Sequence, residues 1–193
     1  MKPTLVFATG NPNKLKEVRA LIGHKYTLKG LEDIGCTEDI PETSDTIAGN
    51  ALLKARYVRE HYQLDCFSED TGLEVDALDG APGIYSARFA GPQKNADDNM
   101  DLLLQKLAGK DNRQAQFRTV VALILEGQEY TFEGIIRGRI ATKRRGEQGF
   151  GYDPLFIPDG YTQSFAQMDQ QVKNEMSHRG RAIRKLQDFL DQA

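Results

Sequence analysis

Apolar positions along this chain alternate between short solid runs and stripes at helical spacing. Leu5-Val6-Phe7-Ala8 is too short a run for a helix, and Thr9-Gly10-Asn11-Pro12 closes it with turn chemistry, so it predicts a buried strand. Leu15, Val18, Leu21 and Ile22 then recur at helical spacing, with Asn13 the expected N-cap and Gly23 the stop. Residues 26–31 predict a second strand. Residues 32–47 are polar, acidic and contain Pro41, so they predict a long loop of the kind that often carries function. Ala51, Leu52, Ala55, Val58 and Tyr62 give a second helix its apolar face. A short strand over Cys66-Phe67-Ser68 is expected to end at Glu69-Asp70-Thr71-Gly72. Beyond it Leu73, Val75 and Ala77 alternate with Glu74 and Asp76 as a half-buried strand.

Turn residues dominate from Asp79 to Pro92, after which Met100, Leu103, Leu104 and Leu107 mark a third helix closed by Gly109. Two β-rich stretches, 117–125 and 130–140, flank Gly127-Gln128, which suits a two-residue hairpin turn with glycine first. A glycine-dense segment from Gly146 to Gly151 leads into Tyr152-Asp153-Pro154-Leu155-Phe156. Ala182, Ile183, Leu186 and Phe189 line a final helix. Strand-helix units followed by a long hairpin predict an α/β chain with a mixed sheet. No internal repeat or low-complexity linker interrupts it, and 193 residues suit a single domain over 1–193.

Composition narrows the classes. Hydrophobic residues at 39% with 18 glycines exclude a disordered or collagen-like chain. Lys and Arg number 25 against 28 Asp and Glu, a net charge of −3, so a nucleic-acid partner is not expected; Lys143-Arg144-Arg145 is the one dense basic run and reads as a solvated turn. Cys36 and Cys66 form neither a disulfide framework nor a zinc pattern, which suits the cytoplasm. There is no signal-peptide pattern after Met1, and no apolar run approaches the ~18 residues that cross a membrane.

Four places carry candidate chemistry. Thr9, Gly10, Asn11, Pro12, Asn13 and Lys14 join a strand to a helix N-terminus, where free amides and the helix dipole favour a phosphate and Lys14 adds charge. The alternative is an ordinary turn with a surface lysine. Glu69 and Asp70 at a strand end, with Glu42 from the long loop, suit Mg²⁺ or a general base, or else form a solvated acidic turn. Phe150, Gly151, Tyr152 and Asp153 offer backbone access and aromatic faces to a nucleobase, or simply a tight turn with core aromatics. His178 and Arg179, with Lys173 upstream, offer donors to a base edge or a phosphate, or cap and decorate the last helix.

In this order, the blocks Thr9-Gly-Asn-Pro-Asn-Lys14, Asn50-Ala-Leu-Leu-Lys-Ala55, Ser68-Glu-Asp-Thr-Gly-Leu73, Gly80-Ala-Pro-Gly-Ile-Tyr-Ser-Ala-Arg88, Phe150-Gly-Tyr-Asp-Pro154 and Ser177-His-Arg-Gly180 closely resemble the inosine triphosphate pyrophosphatase family, over nearly the whole chain. The resemblance implies an elongated two-lobed α/β subunit around a central mixed sheet with flanking helices, which usually forms a homodimer. It implies Mg²⁺-dependent hydrolysis of purine nucleoside triphosphates such as ITP, dITP and XTP to the monophosphate and pyrophosphate. Carried onto this sequence, Thr9, Asn11 and Lys14, with the rest of their turn, would hold the triphosphate. Asp70 would activate water, Glu42 and Asp70 would hold the metal, Asn50 and Lys54 would lie on the phosphate side, and Thr71 would be a further substrate-binding residue. Phe150, Gly151, Tyr152, Asp153, Lys173, His178 and Arg179 would form the base-binding set, with residues 80–88 near the dimer interface.

One block departs from the pattern. Many family members carry a glutamate just before the Asn-Ala-x-x-Lys-Ala block, where this chain has Ala48-Gly49, so any metal or water role of that acid is absent or supplied elsewhere. Two rival readings follow: a hydrolase of other modified nucleotides, and a nucleotide-binding sensor without turnover. Purine against pyrimidine substrates separates the first, and tight ITP binding without pyrophosphate release would mark the second.

Overall fold

The computed structural model describes Lys2 and residues 4–192. The strands are β1 (Thr4–Phe7), β2 (Thr27–Lys29), β3 (Cys66–Val75), β4 (Pro82–Gly83), β5 (Gln114–Leu125), β6 (Gln128–Ile140) and β7 (Phe156–Pro158). The α-helices are α1 (Pro12–Ile22), α2 (Ile47–Tyr62), α3 (Ala96–Lys106), α4 (Gln170–Met176) and α5 (His178–Leu190). Among the described residues the sheet runs β2-β1-β3-β5-β6-β7, with β4 on β3. β1 pairs in parallel with β2 (Leu5 opposite Leu28) and with β3 (Phe7 opposite Phe67), while β4 on β3 and β7 on β6 are antiparallel. Parallel neighbours need a crossover, which α1 supplies between β1 and β2. The chain is thus α/β with a mixed sheet, and no described helix is long and apolar enough to cross a membrane.

The chain divides into two compact units, each with its own core. The first takes the chain up to Asp70, Thr119–Gly134 and the chain from Arg179 onward. Leu5 and Phe7 of β1, Val18 and Ile22 of α1, Phe67 of β3, Val121 and Leu123 of β5, and Ala182, Ile183 and Leu186 of α5 pack together there. The rings of Phe7 and Phe67, register partners on adjacent strands, stack with centroids 4.6 Å apart. The second unit takes Thr71–Arg118 and Ile135–His178. Its core joins Leu73, Val75, Leu103, Leu107, Phe117, Ile136, Phe156 and Phe165. Burying such a side chain fully is worth about 1.5–3 kcal/mol.

Several boundaries differ from the sequence expectation. Asn11, not Asn13, caps α1, because Pro12 with its fixed φ occupies the first helical position. β3 is one ten-residue strand, so Glu69-Asp70-Thr71-Gly72 is extended backbone and not a turn at a strand end. The hairpin turn is Glu126-Gly127, both at positive φ (51° and 82°), and Gln128 already belongs to β6. Helix α2 begins at Ile47, a turn before its apolar stripe, because Thr46 caps it by accepting from the Gly49 amide. His178 and Arg179 lie inside the first turn of α5 and not before it. The short elements α4 and β7 were not anticipated.

Candidate active site

The turn after β1 holds itself together with its own polar side chains. Thr9 Oγ1 accepts from the Asn11 amide at 3.1 Å, and Asn11 Oδ1 accepts from the amides of Asn13 and Lys14 at 2.9 and 3.3 Å. Gly10, exposed, has nothing within 4 Å of where a Cβ would stand. Pro12 and Asn13 open α1 on its exposed side. There is no acidic residue in the first turn of α1 to offset its dipole. This leaves a helix N-terminus whose geometry is fixed in advance and whose field favours an anion.

Lys14, in the first turn of α1, reaches Glu69 of β3 at 3.1 Å. Glu69 is fully enclosed and is gripped on its other side by Arg179, which donates from Nε at 2.7 Å and from Nη2 at 2.9 Å. Arg179 Nη1 donates to Glu17, one turn along α1 from Lys14. Burial alone would raise the Glu69 pKa, but Arg179 and Lys14 outweigh it and hold the carboxyl far below its usual range. On Arg179 burial is likewise outweighed, by Glu69 and Glu17, and the guanidinium stays charged. Burial lowers the Lys14 pKa, with Lys54 and Arg179 in the same direction and Glu69 opposing.

Asp70 is the next residue of β3. It meets Lys54 of α2 at 3.4 Å, and Lys54 also donates to Glu42, from the segment ahead of α2, at 2.7 Å. Burial raises the Asp70 pKa, as does Glu42, against Lys54 and Lys14. For Lys54 the burial effect is downward, yet Asp70, Glu42 and Glu69 together leave its pKa raised. Asn50, one turn before Lys54 on α2, is wholly buried and accepts from the Ser44 amide at 2.9 Å. No group of three or more His, Cys, Asp and Glu side chains among the described residues is placed to hold a metal ion. Glu42 and Asp70 nevertheless converge on one ammonium. Two carboxylates around a single positive charge fit Mg²⁺, which takes one or two protein carboxylates and fills its other positions with water and phosphate oxygens.

The second unit groups the remaining candidates. Asp153 is buried and accepts from the Phe150 amide at 3.0 Å and from Lys173 Nζ at 2.8 Å. Lys173, itself buried, stands 5.2 Å from the Phe150 ring centroid and 5.7 Å from that of Phe165. A side chain at Gly149 (φ +77°) would strike the Asp153 carboxyl, so glycine is required for this turn to close. Gly151 also has positive φ, at 60°. Tyr152 is a core residue whose hydroxyl donates to the Ser86 carbonyl at 2.7 Å, and burial raises its pKa strongly. The His178 ring is stacked on Phe117 with centroids 4.5 Å apart and planes at 14°, so its faces serve packing. Thr71 is half-buried in β3.

The structure therefore brings Lys14, Glu42, Asn50, Lys54 and Asp70 into the first unit with Thr9 and Asn11, and Phe150, Asp153 and Lys173 together in the second. Arg179 stands with Glu69 and Glu17 in the first unit, although the sequence reading grouped it with His178. Glu17 was missed altogether. Its one signal was spacing, since it follows Lys14 by three positions on the same helix face.

Lysines steered by carboxylates at successive positions of one strand, beside a preset helix N-terminus, define an α/β protein equipped to handle polyanionic ligands such as phosphates. The chain belongs to the Ham1 family, whose family model matches residues 5–189. It is 55% identical over 187 residues to a dITP/XTP pyrophosphatase of Porphyromonas gingivalis, covering 96% of each chain. It is 54% identical over 186 residues to a dITP/XTP pyrophosphatase of Flavobacterium johnsoniae, covering 96% of this chain and 97% of the relative. Among solved structures, a HAM1 protein from Coxiella burnetii superimposes with a TM-score of 0.90 at 33% identity, covering 99% of this chain and 100% of that one.

Proposed function

We propose that this chain is a nucleoside triphosphate pyrophosphatase that hydrolyses non-canonical purine nucleotides, dITP, XTP and ITP, to the monophosphate and pyrophosphate, clearing them from the nucleotide pool. The observation that carries the reading is β3, where Glu69 directs Lys14 and the next residue, Asp70, meets Lys54 with Glu42. The relatives' function supports it, as does one family model across almost the whole chain, which also favours a single domain. A homodimer in the cytoplasm is part of the same proposal.

In this reading the residues of the Thr9–Lys14 turn and the lysines Lys14 and Lys54 serve the triphosphate, and Thr71 is a further substrate-binding residue. Asp70 takes a proton from water as its oxygen bonds to the α-phosphorus. The bond from that phosphorus to the bridging oxygen breaks, and pyrophosphate leaves against the charge of Lys14. Mg²⁺ held by Glu42 and Asp70 would neutralise phosphate charge. Base recognition falls to the Phe150–Asp153 turn with Lys173 and His178, while Arg179 stays with Glu69 and Glu17.

The test measures orthophosphate from ITP, dITP, XTP, ATP and GTP with Mg²⁺, with and without added inorganic pyrophosphatase. Signal from ITP, dITP and XTP only when that enzyme is added is the expected result. Orthophosphate released without it places the cut elsewhere, and tight ITP binding without any release marks a sensor.

A further inference from the structure

Glu42 lies in an irregular segment, and such a segment does not by itself hold a carboxylate in place. Three side-chain bonds tie this one to the start of α2. Asn50 Oδ1 accepts from the Ser44 amide at 2.9 Å, Ser44 Oγ accepts from the Thr46 amide at 3.2 Å, and Thr46 Oγ1 accepts from the Gly49 amide at 3.0 Å. The first is the long reach, joining the interior of the helix to the residue two beyond Glu42. Only an oxygen can accept from an amide N–H, so this bond fixes the orientation of the Asn50 carboxamide. Its Nδ2 is then a buried donor without a partner among the described residues. An apolar residue would fill the site without that penalty, so packing alone does not account for an asparagine here.

Gly49 completes the arrangement. A Cβ there would lie 2.7 Å from Ser44 Cβ and 2.8 Å from Thr46 Oγ1, too close for either to remain. In this chain Ser44 occupies the space that a side chain at position 49 would take.

We propose that Asn50 is a positioning residue that sets Glu42, by pinning the Ser44 amide, with Gly49 as the opening that lets the loop close. Asn50 and Lys54 lie one turn apart on the same helix. One fixes the Glu42 segment through its backbone and the other meets the Glu42 carboxylate at 2.7 Å. Glu42 is thereby preset towards Asp70. The functional consequence rests on the pyrophosphatase reading, while the pin itself does not.

The experiment follows Ser44 amide exchange by NMR on the full chain, together with the Mg²⁺ dependence of pyrophosphate release. Asn50→Leu should speed Ser44 exchange by roughly tenfold or more, the ratio expected for one lost amide hydrogen bond, while other α2 amides keep their rates. Asn50→Asp, which keeps an acceptor, should retain the protection. In Asn50→Leu the Mg²⁺ needed for half-maximal rate should rise by a similar factor, with KM for ITP at saturating Mg²⁺ unchanged. Gly49→Ala, with Asn50 intact, should give the same two changes and serves if Asn50→Leu does not fold. Unchanged Ser44 exchange overturns the pin. Lost protection with an unmoved Mg²⁺ curve overturns the link to Glu42, and if KM for ITP rises instead, Asn50 contacts the nucleotide directly. A wild-type rate indifferent to Mg²⁺ defeats the metal reading, and the exchange data still decide the pin.

Discussion

Replacing Arg179 by methionine would leave Glu17 and Glu69 facing each other without the guanidinium that joins them. All three side chains are nearly or fully enclosed, at 3%, 8% and 0% exposure for Arg179, Glu17 and Glu69. Removing one partner of a buried ion pair costs about 3–5 kcal/mol, because the charge left behind has lost both water and counterion. Here two carboxylates lose the guanidinium, but Glu69 keeps Lys14 at 3.1 Å, which places the cost near the middle of that range, at about 4 kcal/mol. For a chain of this size each kcal/mol lowers Tm by roughly 2–4 °C, so a fall of about 8–16 °C is expected by circular dichroism. Arg56 supplies the control: its bidentate pair with Glu129 is about half exposed, and Arg56→Met should move Tm by less than about 4 °C. Adding Glu17→Gln and Glu69→Gln to Arg179→Met should recover part of the loss, since a neutral site costs less than unpaired charges. An Arg179→Met shift no larger than the Arg56 control, or no recovery in the triple variant, would refute the reasoning.

Asp70→Asn should lower turnover by at least ~10² while ITP binding stays measurable by calorimetry, because a general base is worth roughly 10²–10⁴; full activity would move the base to Glu42. ITP should be preferred to ATP by about 10² or more in kcat/KM, since adenine reverses the donor and acceptor of the 6-oxo edge and leaves two buried groups unpaired; a ratio below about ten would discard edge reading. Burial, with Asp65 adding to it and Arg59 opposing, pushes the Cys66 thiol up to about 12. That group's contribution to stability is complete below the unfolded thiol value of about 8.5 and is lost as pH rises towards 12, so Cys66→Ala should flatten the alkaline fall in unfolding free energy by roughly 1 kcal/mol per pH unit. Parallel falls in the two proteins would count against a buried thiol.

Much of this was legible where chemistry and local geometry coincide. The apolar run of β1, the Asn-Pro turn and the stripe of α1 put Lys14 near a helix start, and the structure needed only to move the cap from Asn13 to Asn11. The sequence misled at Thr71-Gly72, which looks like turn chemistry. The strand instead continues through both residues, so Glu69 and Asp70 lie within it and not at its end. Helix α4 was invisible because Val172 is exposed and its buried residues, Lys173 and Asn174, are polar, so no apolar stripe marks it. Glu17 drew no reading from the sequence at all. Its partner sits 162 positions later, a distance over which no local pattern can speak.

That distance also orders events during synthesis. The first unit's core needs Ala182, Ile183 and Leu186, and its buried acids need Arg179, all from the last helix. The second unit draws only on residues 71–178 and has its whole core available earlier. A nascent chain emerging N-terminus first therefore carries Glu17 and Glu69 for most of its translation without the Arg179 guanidinium that bonds both. The segment made first is among the last to be finished, and ribosomes stalled before residue 179 would hold chains whose early strands remain targets for chaperones.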